Sequence, residues 1–80
     1  MMGKIREFWT RWQIRKVSKF IAELTPAETL EFMMNPDTGL GSEDCDSLVA
    51  LAFGNCPDAD RQATIQRISE NYLRARKKIP

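Results

Sequence analysis

Apolar positions recur along this chain at three- and four-residue spacing, and no run of alternating β-branched residues interrupts them. The pattern predicts an all-α fold, a single domain built as a small bundle of four helices. They fall at about residues 3–24, 26–35, 43–54 and 58–78, and the second is short. Its start is sharply written. Thr25 at the N-cap with Glu28 three residues on forms a capping box, and Pro26 occupies the first helical position, where a missing N–H costs nothing. Leu30, Met33 and Met34 give this helix one apolar edge, and Asn35-Pro36 ends it.

A loop through Gly39-Leu40-Gly41 follows. Ser42 is expected to cap helix 3, with Glu43, Asp44 and Asp46 near its positive end. The stripe Cys45, Leu48, Val49, Ala52 and Phe53, apolar all round from Leu48 to Phe53, marks helix 3 as the most buried element. Gly54-Asn55 stops it. Helix 4 starts near Pro57-Asp58 and carries the stripe Ile65, Ile68, Tyr72 and Ala75.

Helix 1 does not fit one stripe. On a wheel of about 100° per residue, Ile5, Phe8, Trp9 and Trp12 share one side, whereas Val17, Phe20, Ile21 and Leu24 centre about 120° away. One straight helix cannot lay both on a small core. Either it breaks near Gln13–Lys16, or its first half carries an aromatic patch elsewhere. A further side holds Lys4, Glu7, Arg11, Arg15 and Lys19, a mostly basic ridge beside the aromatic residues.

Composition sharpens this picture. The chain has 80 residues, 42% of them apolar, which is enough for a globular core and for one domain only. So short a chain has few positions in which to bury two Trp. Twelve basic and eleven acidic residues leave a net charge of +1, unlike a dedicated nucleic-acid coat. The charges are segregated: both ends are basic, while residues 25–60 hold most of the acids and no Lys or Arg. No apolar run reaches membrane-spanning length and no secretory signal stands out, so a cytoplasmic protein is expected. The basic, acid-poor N-terminus also has the character of a mitochondrial presequence, which its two Trp fit poorly.

The chemistry of catalysis is missing. There is no His, no Ser or Cys with a base nearby in sequence, and no phosphate-binding glycine loop. Cys45 and Cys56 read as two reduced, partly buried thiols, and the Asp37–Asp46 acids fail calcium-loop spacing. The expectation is a non-enzyme with no metal and no cofactor.

Two binding readings remain. Helices 3 and 4 with their short turn suggest a helix-turn-helix, in which Arg61, Gln62, Gln66, Arg67, Asn71 and Arg74 could contact nucleic acid. Against it, Asp58 and Asp60 sit where such a helix meets phosphates. A Thr29-Leu30-Glu31 with a downstream Ser42 resembles the spacing in the small Hha-type nucleoid regulators, a family of the same DNA-associated class; no site residue follows from it.

The other reading rests on helix 1. Trp and Arg are enriched at binding hot spots, and a basic amphipathic helix suits an acidic groove or an anionic membrane surface. Partner-binding residues are then Ile5, Phe8, Trp9 and Trp12, with Lys4, Arg11, Arg15 and Lys19 steering an acidic target. The alternative is that Trp9 and Trp12 cap the core. The expected function is a small protein-binding adaptor or inhibitor, a regulator of the kind mobile elements such as phages encode. Homodimerisation through the same patch is a variant, and membrane-surface attachment is a further alternative.

Overall fold

A computed structural model of the chain describes residues 2–79, and the side chains from residue 6 onward. It contains α1 (Met2–Ala22), α2 (Pro26–Met34), a short 3-10 turn (Pro36–Thr38), α3 (Ser42–Ala52) and α4 (Asp58–Ala75), with no strand among the described residues. The all-α expectation therefore holds, and helix ends move by a few residues.

The capping box of α2 is complete. The Glu28 N–H donates to Thr25 Oγ1 at 3.2 Å, and the Thr25 N–H donates to Glu28 Oε1 at 2.9 Å. Ser42 is not the cap of α3. Gly41 occupies that position without a side-chain bond, and Ser42 already belongs to the first turn. α4 stops at Ala75 rather than near Lys78, because Lys77 turns the chain at φ 58°. That turn returns Ile79 to the bundle, where it is buried.

α1 and α4 run antiparallel. Ser18 Oγ donates to Ser69 Oγ at 3.0 Å, and Gln13 Nε2 donates to the Lys78 carbonyl at 3.3 Å. α3 also runs against α4, tied by Asp44. This residue is buried, and Asn71 Nδ2 donates to its two carboxylate oxygens at 3.2 and 2.9 Å. Arg67 Nε lies 3.6 Å from Asp44 Oδ1, while Arg67 Nη2 donates to Ser47 Oγ.

The core is Ile21, Leu48, Ile65 and Ile68, with Val17, Phe32, Met33, Leu40 and Leu51 packed on it. Residue for residue, helix 3 is the most buried element as expected, with eight of its 11 residues buried or half-buried against eight of 18 in α4. α4 holds more of the fully buried positions, Ile65, Ile68, Ser69 and Leu73 against Asp44 and Leu48 in α3, and Phe53, just after α3, is exposed. Phe20, expected in the core stripe of helix 1, stays 53% exposed and lays only an edge contact on Phe32, with centroids 6.0 Å apart. Phe32 meets Tyr72 at 5.5 Å, so one aromatic row joins α1, α2 and α4.

Candidate functional site

α1 is one continuous helix of 21 residues, without a break at Gln13–Lys16. The conflict between its two stripes resolves through the face that docks. Thr10, Ile14, Val17, Ser18 and Ile21 share one side, and all are half-buried or buried. The aromatic residues lie roughly opposite on the wheel. Phe8 is 71%, Trp9 56% and Trp12 43% exposed. These three and Phe20 form a strip that spans about 18 Å along the helix at 1.5 Å per residue.

The strip is ordered by its own contacts. Trp9 and Trp12, three residues apart, stack with centroids at 5.1 Å and planes 24° apart. Lys16, one turn on, sets its ammonium 4.8 Å from the Trp12 ring centre. Ring stacking contributes about 0.5–1.5 kcal/mol and a cation over an exposed ring about 0.5–1 kcal/mol, together enough to favour one shape of the pair before any partner arrives. Lys16 was not among the expected site residues. Its spacing of four from Trp12 is the signal that could have found it.

Of the expected partner-binding residues, Phe8, Trp9 and Trp12 thus form one surface. Arg11, Arg15 and Lys19 are exposed along the adjacent side. Lys4 and Ile5 have helical backbone, but their side chains lie outside the described residues.

The residues of the helix-turn-helix reading are scattered in role. Arg67 and Asn71 are engaged by Asp44 and Ser47. Arg74 pairs with Glu70 at 3.7 Å and donates to Asn71 Oδ1 at 3.3 Å, and Gln66 also donates to Glu70. Arg61 is exposed at the rim of a small cavity of about 90 Å³ over Ile21, Leu48 and Ile65. Gln62 and Gln66 share a groove with Arg11, Ile14 and Arg15. One face of α4 therefore does not present all six outward together.

The antiparallel pairing has a consequence for charge. It brings the basic N-terminal half of α1 and the basic tail after α4 to one pole. There Arg6, Trp9 and Thr10 face Arg74, Lys77, Lys78 and Ile79 across a groove of about 430 Å³. The tail's Arg76 lies over the Tyr72 ring at 4.7 Å. The acids of residues 25–60 belong to α2, the 3-10 turn, α3 and the start of α4.

Among the described residues, no group of three or more His, Cys, Asp or Glu could hold a metal ion, and no helix is long and apolar enough to cross a membrane. Cys45 and Cys56 are free thiols of intermediate exposure. No protein-family model matches the chain, and no curated protein or solved structure matches it significantly.

Proposed function

We propose that this chain is a small non-enzymatic binding protein, a cytoplasmic adaptor or inhibitor, that docks the aromatic side of α1 onto an acidic protein surface. One observation carries the reading: Phe8 and the stacked Trp9–Trp12 pair lie exposed on the side of α1 roughly opposite the face that joins the bundle. Contiguous exposed aromatics are costly for a monomer to keep in water and mark contact sites. Trp contributes large, rigid contact area at low entropic cost. Arg11, Arg15 and Lys19 beside the strip accelerate encounter with an acidic target and disfavour basic ones. The α4 face is a weaker candidate, since Arg67 and Asn71 already serve Asp44. Regulators of this size and style from phages and other mobile elements offer an analogy for the role, not an argument for it.

The test is capture from host lysate by wild-type protein, by Trp9→Ala/Trp12→Ala and by Arg11→Glu/Arg15→Glu. The reading expects one partner retained by wild type, lost by the first variant and weakened by the second in a salt-dependent manner. Sedimentation showing a wild-type dimer that the Trp variant dissolves identifies the partner as a second copy. Identical capture by all three baits contradicts the reading.

A further inference from the structure

We propose a second binding site at the basic pole: the groove between α1 and the C-terminal tail takes a single-stranded nucleic acid, phosphates on its cations and a base against Trp9. The groove is separate from the outward strip except for Trp9, whose ring borders both. Its walls carry Arg6 from α1 and Arg74, Lys77 and Lys78 from α4 and the tail, while Glu7 and Glu70 line the adjoining groove that shares Arg6, Thr10, Arg74 and Ile79. Arg74 is partly engaged by Glu70, which leaves Arg6, Lys77 and Lys78 as the principal cations for a ligand. Ile79, buried at the junction, and the 56% exposed Trp9 give the same groove an apolar surface.

Cations on both walls beside a flat aromatic ring is the arrangement by which proteins hold unpaired strands without reading their sequence. A base has a π-face for Trp9, and its backbone repeats a negative charge for each wall. An acidic peptide supplies the charges without the ring, and a bilayer does not enter a groove. Duplex DNA keeps its bases stacked inside. The near-neutral net charge of the whole chain predicts modest affinity.

The fold supports the site without these side chains. The tail is held by Ile79 and by the bond from Gln13 to the Lys78 carbonyl, neither of which depends on the Lys77 or Lys78 side chain. Charge reversal there therefore tests binding rather than folding.

The experiment measures anisotropy of a labelled oligo-dT, together with indole fluorescence in a Trp12→Phe background that leaves Trp9 as the sole reporter. Binding should quench Trp9. Three phosphate contacts on a single strand give a slope of about −2 in log K against log salt, so roughly fourfold more salt weakens binding about 20-fold. Lys77→Glu/Lys78→Glu should weaken it at least about tenfold while partner capture by the α1 strip persists. Trp9→Phe should retain most of the affinity and Trp9→Ala should not. The proposal is overturned if the Lys77/Lys78 variant binds oligo-dT like wild type. It is equally overturned if duplex of the same length or polyglutamate binds as well as oligo-dT, or if phosphatidylserine vesicles are bound through Lys77 and Lys78 and oligo-dT is not. Loss of partner capture in Trp12→Ala with oligo-dT binding intact separates this site from the one on the strip.

Discussion

Asn71→Ala is the most informative single perturbation of the scaffold. The Asp44 side chain is 9% exposed, and the Asn71 amide reaches both of its oxygens, at 3.2 and 2.9 Å. Without that amide the carboxylate keeps only Arg67 Nε at 3.6 Å among the side-chain partners described, from a guanidinium that is itself 43% exposed. A hydrogen bond to a charged group contributes about 1.5–3 kcal/mol, and a buried acceptor left unpaired loses most of it. The half-exposed Arg67–Asp44 pair offsets little, since such pairs are worth about 0–1 kcal/mol. Asn71→Ala should then cost about 2 kcal/mol. At about 4–8 °C per kcal/mol for a domain of this size, the thermal midpoint falls by about 8–16 °C. The assay is a circular-dichroism melt of wild type, Asn71→Ala, Asp44→Ala and the double variant. Because the two residues share one bond network, the double variant should cost less than the sum of the singles by about 1 kcal/mol. A loss below about 0.5 kcal/mol for Asn71→Ala, with additive behaviour, refutes the assignment of this network as the clamp between α3 and α4.

Other outcomes follow from local geometry. Gly39 has φ +69° and a Cβ there lies 2.7 Å from the Ala75 Cβ, whereas Gly54 has φ +72° and open space. Gly54→Ala should therefore cost about 1 kcal/mol for left-handed backbone alone and Gly39→Ala clearly more, so equal losses in a melt contradict the close approach of the loop to α4. Hydrogen bonds from the Thr25 backbone and side chain hold the Glu28 carboxyl below its ordinary value of 4.5. A depressed folded-state value means stabilisation present above the ordinary value and lost as pH falls through the lower one. Glu28→Gln should accordingly separate from wild type near neutral pH and converge with it in acid, as pH falls through the lowered value; a pH-independent gap contradicts the capping-box contribution.

Much of the bundle was readable from local chemistry. The α2 start is fixed by three adjacent residue types, and the structure realises both bonds of the box. The mixed apolar and polar docking face of α1 was harder to see. Thr10, Gln13 and Ser18 lie on the side that meets α4 and the tail, where a hydroxyl pair with Ser69 replaces apolar contact. A search for apolar stripes passes over such a face, and so it also passes over Ser69, fully buried on α4. The meeting of the two basic termini is a property of topology. Only the antiparallel pairing of α1 with α4 places Arg6 opposite Lys77 and Lys78.

The central claim is that the aromatic strip of α1 is a contact surface rather than part of the core, and the melt of Trp9→Ala/Trp12→Ala tests it most directly. A Trp buried in the core costs about 3–5 kcal/mol on truncation, and two such losses exceed what a domain of this size can bear. At 56% and 43% exposure, the two rings give up mainly their mutual stack and the Lys16 contact. The account predicts a loss of about 1–2.5 kcal/mol, a midpoint lowered by about 4–20 °C, full helical signal at low temperature and loss of partner binding. Collapse of the helical signal, or a fall in midpoint like that of a core truncation such as Ile68→Ala, contradicts it.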